Sequence, residues 1–239
     1  MIGRNAILYG GEVCEKLGGA VAAICGCGAV GSFAAEALAR LGVGRFRLYD
    51  CDCFEASNIN RQLCALSSTV GADKVEVQKK RILDINPSAQ VEANKVFIDA
   101  AIAAEIARAK PSVIVDAIDC IEAKIALALA ASAAGTPIVS SMGAARRKNP
   151  LAVKTADIYK TSGCPMAARI RKELRRLGAR GFQCVYSDEP ARRGTHLRGE
   201  AGEGMPAGKK TMGSSVVVTG VFGLNLANLA LREIAGGDF

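Results

Sequence analysis

Apolar residues in this chain come in two rhythms: short continuous runs, and longer stretches in which they return every third or fourth position. The first rhythm predicts buried strands and the second predicts helices packed by one face. Strands are expected at 21–25, 46–49, 91–96, 113–115 and 138–141, separated by helices at 29–41, 73–84, 99–109 and 121–134. Such alternation gives an α/β fold, a Rossmann-like, mainly parallel sheet with helices on both faces. Beyond Pro150 the character changes. Strands are expected at 151–158 and 183–186 around a helix at 165–177, whose apolar stripe is Met166, Ile170, Leu174 and Leu177 and which Gly178 ends. Residues 190–212, rich in glycine, read as a mobile loop, and an apolar helix near 214–234 returns the chain to the core. The expected organisation is a nucleotide-binding part spanning 1–145 and a smaller, basic α+β part spanning 146–239 that completes the same domain.

The first strand runs into the first helix through Gly26-Cys27-Gly28-Ala29-Val30-Gly31. Glycines at such a turn let backbone N–H groups approach phosphate oxygens, and the helix N-terminus adds its partial positive charge. Asp50 closes the second strand, where a carboxylate takes the ribose hydroxyls of a bound nucleotide. Gly26, Gly28, Gly31 and Asp50 therefore suit either a dinucleotide or ATP. The polar run that follows separates the two. Ser57-Asn58-Ile59-Asn60-Arg61-Gln62 and then Lys74 bring an amide and two cations onto the loop and helix after the nucleotide strand. Fixed cations beside a phosphate site stabilise charge building on a polyphosphate, which serves phosphoryl or adenylyl transfer and gains nothing for hydride transfer. The plainer readings are that Lys74 opens a charged, solvated helix face and that Asp50 merely ends its strand.

These motifs resemble the ubiquitin-activating, MoeB and ThiF superfamily of adenylating enzymes, from Arg4 through about Gly143. With Asp157-Ile158-Tyr159-Lys160-Thr161, Cys184-Val185-Tyr186-Ser187-Asp188-Glu189-Pro190 and Gly213-Ser214-Ser215, the whole chain is most similar to the tRNA threonylcarbamoyladenosine dehydratase branch. That branch spends ATP to adenylate the carboxylate of a modified tRNA adenosine, which then cyclises with loss of water. The resemblance implies ribose binding by Asp50, phosphate binding by Asn58 and Arg61, and phosphate binding with charge stabilisation by Lys74. It implies Mg²⁺ held by Asp119, at the carboxyl end of an apolar strand facing the glycine loop, with Asp116 as the competing choice. An acid-amide pair is common in the family here, whereas this chain has Asp119-Cys120, so the resemblance leaves the second polar contact open. Arg4 matches an arginine that relatives insert into the partner subunit's ATP site, which implies a homodimer with Arg61, Lys74 and Arg4 as its catalytic cations; the plainer reading is a solvated terminal arginine.

Charge adds a candidate partner. Between Arg146 and Arg198 stand fourteen Lys or Arg against four Asp or Glu, so 14 − 4 = +10, whereas the whole chain is 31 − 23 = +8. Arg169, Arg171, Lys172, Arg175 and Arg176 share one predicted helix, and Arg192, Arg193, Lys209 and Lys210 lie in the predicted loop. Such a patch suits an RNA backbone and equally suits a solubilising surface. The nine cysteines form no C-x-x-C, so the paired zinc knuckle of MoeB-like relatives cannot be built. Cys25, Cys27, Cys51 and Cys53 read as small buried hydrophobes, and a thioester role for Cys164 or Cys184 is unnecessary when the acyl-adenylate is captured by its own nitrogen. No run approaches the ~20 uninterrupted apolar residues of a membrane span, and the first residues lack the apolar core of a signal peptide, so a cytoplasmic enzyme is expected. Three other functions share parts of this pattern. They are an activator of a ubiquitin-like or sulfur-carrier protein, an NAD-dependent oxidoreductase, and a non-catalytic tRNA-binding protein. The one histidine, His196, stands in the predicted loop, a poor place for a hydride-transfer acid.

Overall fold

A computed structural model describes residues 3–191 and 212–237. Seven strands form one sheet: β1 (Val21–Cys25), β2 (Arg45–Tyr49), β3 (Gln90–Asn94), β4 (Val113–Asp116), β5 (Ile138–Ser141), β6 (Val153–Asp157) and β7 (Gln183–Ser187). Their order is β3-β2-β1-β4-β5-β7-β6, and every neighbouring pair is parallel except β6 with β7. Every residue of β4 and β5 is buried, which is why these segments read as unbroken apolar runs rather than alternating ones.

Eight helices accompany the sheet among the described residues: α1 (Gly3–Tyr9), α2 (Gly11–Gly19), α3 (Gly31–Leu41), α4 (Lys74–Ile85), α5 (Ala100–Arg108), α6 (Ile121–Ala134), α7 (Pro165–Arg176) and α8 (Val216–Ala235). One face is closed by Leu17 of α2, Ala34 and Leu38 of α3, Ile82 of α4, and Phe222 and Leu226 of α8. The other is closed by Ile106 of α5, Leu127 of α6, and Ile170 and Leu174 of α7. Helix α8 has the length and composition of a membrane span, yet 56% of that window is buried in this core.

The strand order reverses between β1 and β4, which opens a crevice beyond their carboxyl ends, the usual ligand position in a doubly wound sheet. Several expectations need correction. Helices α1 and α2 were not anticipated; the strand expected at 151–158 is shortened to β6 by single 3₁₀ turns at Pro150–Ala152 and Ile158–Lys160. The stripe on α7 is Ala167, Ile170 and Leu174, while Leu177 lies past the helix end and is exposed. Cys51 is exposed rather than buried, because the chain has left the sheet by that point. The loop expected at 190–212 lies outside the described residues except for its first two positions and its last, and so do Arg192, Arg193, His196, Lys209 and Lys210.

Candidate active site

The three loop glycines have different physical reasons. Gly26 adopts φ +92°, and a side chain there would meet the Ala117 carbonyl oxygen at 2.8 Å. At Gly31 an added methyl would overlap the Gly26 carbonyl. Gly28 is unlike both: its nearest neighbour would be the Gln62 amide at 3.8 Å, so the protein itself does not demand glycine there. What an absent side chain leaves open at Gly28 is the approach to the N-terminus of α3, which has no side-chain cap.

Asp50 holds this loop in shape. Its Oδ2 accepts the Cys27 N–H at 2.7 Å and its Oδ1 accepts the Asp52 N–H at 2.9 Å. Burial pushes its carboxyl upward, against the opposing pull of Lys74 and these two N–H groups. Each oxygen keeps acceptor capacity for a further donor such as a ribose hydroxyl.

Lys74 opens α4 yet is only 6% exposed, so the reading of a solvated helix face fails. Its Nζ donates to Asp52 Oδ2 at 2.7 Å. Burial lowers its pKa, but Asp50, Asp52 and Asp119 more than offset that, and the ammonium is held above its ordinary range. Asp119 is exposed, just before α6, and its charge reaches Lys74. The competing acid Asp116 is fully buried. It pairs with Lys124 Nζ at 2.9 Å, accepts the Ser140 hydroxyl, and accepts the Ile118 N–H at 3.1 Å. Asp116 is therefore committed to the core, while Asp119 remains at the crevice.

Asn58 is buried and folds its own turn, its Oδ1 accepting the Glu55 N–H and its Nδ2 donating to Ser57 Oγ. Arg61 bonds only neutral oxygens among the described residues, the Ser57 carbonyl and Asn60 Oδ1, both at 2.8 Å. Among the described residues no carboxylate pairs with it. The neighbouring Gln62, given no role from the sequence, is 7% exposed, its Oε1 has no hydrogen-bond partner among the described residues, and its amide stands next to Gly28. The next residue docks this turn on α3, the Leu63 N–H reaching the buried Ser32 Oγ at 3.2 Å. Nothing in sequence spacing marks Gln62 or the Lys74–Asp52 pair, since both depend on how the 51–73 segment folds back.

A hard cation such as Mg²⁺ takes oxygen ligands and usually one or two carboxylates plus phosphate. Asp119 fits this chemistry. Asp50, Cys51 and Asp52 also cluster closely, but Asp50 is occupied by backbone donors, Asp52 by Lys74, and the third group is a thiol. Arg4 lies exposed on α1, away from any described partner, and α1 buries none of its residues. Cys164 and Cys184 are both buried, and burial pushes the Cys184 thiol up to about 12, which opposes a nucleophilic role.

The predicted basic face on α7 is partly spent. Arg169 pairs with Glu122 and Arg176 with Glu173, Arg171 is tied to the Thr161 carbonyl and hydroxyl, and Arg175 lies over the Tyr159 ring.

Comparison with known proteins finds a likeness that runs along the whole chain. The ThiF family model matches residues 2–238. A tRNA threonylcarbamoyladenosine dehydratase of Bacillus subtilis (strain 168) is 44% identical over 187 residues, 78% of this chain and 74% of the relative. One from Escherichia coli (strain K12) is 33% identical over 250 residues, 97% and 92% of the two chains. The crystal structure of E. coli tRNA N6-threonylcarbamoyladenosine dehydratase in complex with ATP superposes with a TM-score of 0.86 at 31% identity, covering 98% of this chain and 93% of that one. With its glycine loop, its buried lysine and a likeness that runs from end to end, the chain belongs to the ThiF family.

Proposed function

We infer that this protein is an ATP-dependent dehydratase that adenylates the carboxylate of threonylcarbamoyladenosine in tRNA and promotes its cyclisation. The observation that carries the reading is Lys74, a buried cation whose charge reaches Cys27 of the glycine loop and Asp50, in a chain whose E. coli relative, matched nearly end to end, carries that activity in its name. An NAD site has no use for this cation or for Arg61. A carrier-protein activator would share the adenylation step, but the end-to-end likeness to tRNA-modifying relatives favours RNA.

In this reading the triphosphate lies along Gly26, Gly28 and Gly31 at the α3 N-terminus, with the ribose at Asp50. Asn58 and Arg61 hold phosphate oxygens. Asp119 would hold Mg²⁺, which when bound neutralises part of the triphosphate charge. The substrate carboxylate oxygen attacks the α-phosphorus, the bond to the bridging oxygen breaks and pyrophosphate leaves. Lys74 and Arg61 stabilise the charge that moves toward the leaving group. An internal nitrogen of the same acyl group then attacks the acyl carbon, loses its proton to solvent and expels AMP. The substrate has lost one water, whose oxygen departs with AMP. Mass spectrometry of tRNA nucleosides tests this: with ATP, Mg²⁺ and modified tRNA, the protein should yield AMP and lower the nucleoside mass by one water. AMP formation with a diglycine-tailed carrier protein and none with tRNA would replace this reading.

The same proposal includes a homodimer in which Arg4 of the partner subunit completes the ATP site. Supporting it, Ile7 is 87% exposed on α1, and the last residue of that helix, Tyr9, lines an apolar groove with Phe33, Ala37, Leu224 and Leu231. The nine free thiols suit the reducing cytoplasm.

A further inference from the structure

The loop that leaves β5 carries a buried cation that pairs with no carboxylate among the described residues. Arg147 is 3% exposed, yet neither its Nε nor its Nη1 has a hydrogen-bond partner. Its remaining contact is long, Nη2 to the Gly163 carbonyl at 3.4 Å. Of the acids near the end of β7, Asp188 pairs with Lys154, and Glu189 accepts the N–H groups of Lys148 and Asn149 at 3.0 and 2.9 Å, while the Nε and Nη1 of Arg147 reach neither. The loop is fixed in this position, since the Arg146 N–H donates to the Gly213 carbonyl at 2.9 Å and Arg146 itself sits at φ +64°.

A second feature has the same sign. Gly163 immediately precedes Cys164, the N-cap of the twelve-residue α7, and that end has no side-chain cap. Pro165 at its first position contributes no N–H, and the Gly163 carbonyl that Arg147 reaches stands two residues before it, so the guanidinium lies close to the positive end of the helix dipole. A buried guanidinium beside a helix N-terminus is doubly unfavourable unless an anion lies between them.

We propose that Arg147 and the N-terminus of α7 form a phosphate-binding subsite. It rests on the RNA-directed function proposed above and extends it to a second contact with the substrate. Gly163 lies against Asp188, the residue after β7, and β7 stands three strands from β1. At ~4.8 Å per strand the subsite is roughly 14 Å from the glycine loop. A carboxylate about to attack the α-phosphorus must stand within ~3.5 Å of it, so the anion at Arg147 is a different group. A phosphodiester of the RNA flanking the reacting nucleoside meets the requirement, and free inorganic phosphate shares its chemistry.

The test uses the full chain, with Arg147→Met and Arg147→Lys. Thermal unfolding is followed in chloride and in inorganic phosphate at matched ionic strength. Phosphate should raise the midpoint of the unsubstituted chain by about 2–4 °C more than that of Arg147→Met, whose remaining response comes from the glycine loop and from general exclusion of phosphate, and Arg147→Lys should keep part of the difference. In chloride, Arg147→Met should melt no lower than the parent, because it removes an unpaired buried charge. Equal phosphate responses in the parent and Arg147→Met overturn the subsite. Steady-state kinetics then separate the two sources. A KM for tRNA raised about tenfold in Arg147→Met, with KM for ATP unchanged, identifies an RNA phosphodiester. An unchanged KM for tRNA beside a reduced phosphate response identifies free phosphate and overturns the RNA assignment. If no AMP forms with any tRNA, the enzymatic reading fails while the thermal measurement still reports on Arg147.

Discussion

Lys74 and Asp50 depend on each other. The cation is buried and offset by three carboxylates, and the carboxylate is buried and offset mainly by the cation. In Lys74→Met the largest influence holding Asp50 down is removed, so its already raised pKa rises further. A raised folded-state pKa means that the native state binds the proton more tightly than the unfolded chain. The associated stability is present below the unfolded value of about 3.9 and is lost as pH rises through the folded one. The melting deficit of Lys74→Met relative to the parent should therefore grow from pH 4 toward neutrality, which a series of thermal scans measures directly. Pyrophosphate release by the same variant should fall ~10²–10³-fold, the effect of losing one fixed charge that faces developing negative charge. Cysteine makes the opposite prediction. With its thiol at about 12 and fully buried, Cys184 should resist alkylation in the native state while exposed Cys51 reacts, and Cys184→Ala should still form AMP. A Cys184→Ala variant that binds ATP but releases no AMP would restore the thioester idea.

The β1-loop-α3 unit was legible because its parts are local: an apolar strand, a glycine at positive φ, and a helix whose stripe returns at helical spacing. The same locality makes a sharp test. Gly31→Ala forces a methyl onto the Gly26 carbonyl and should cost about 1–3 kcal/mol in denaturant unfolding. Gly28→Ala has 3.8 Å of clearance and should fold like the parent, yet raise KM for ATP, because the methyl occupies the phosphate approach. Equal stability losses in the two variants would show that Gly28 is structural. Elements without a local signature were not legible. Helix α1 buries nothing and α2 is a single short amphipathic segment, so neither presents a sustained stripe. Leu177 continues the spacing of α7 after the helix has ended, a boundary set by Gly178 at φ +65°. The Asp116–Lys124 pair joins a strand end to the following helix, and only the three-dimensional path distinguishes that buried acid from Asp119.

The apolar groove around Phe33 and Leu224 bears on how many chains make one active unit. Ile7 and Leu8 are exposed on α1, the short helix that carries Arg4 and whose last residue, Tyr9, lines this groove, so apolar surface that an identical chain can cover stands on the same helix as Arg4. If Arg4 serves the partner subunit, each active site takes Lys74 from one chain and Arg4 from the other. Arg4→Ala and Lys74→Met should each be nearly inactive alone. Mixed in equal amounts and allowed to exchange subunits, they form mixed dimers in about half of the assemblies. Each mixed dimer has one site with both cations and one with neither. AMP formation should therefore recover to about a quarter of the parent rate, and sedimentation should show dimers throughout. A mixture as inactive as its components, with subunit exchange verified by mass-tagged chains, would place Arg4 and Lys74 in the same protomer's site or remove Arg4 from catalysis. Recovery also requires the glycine loop and α1 to keep their separate folds in the variants, which unchanged melting of Arg4→Ala alone would establish, since that side chain touches no core.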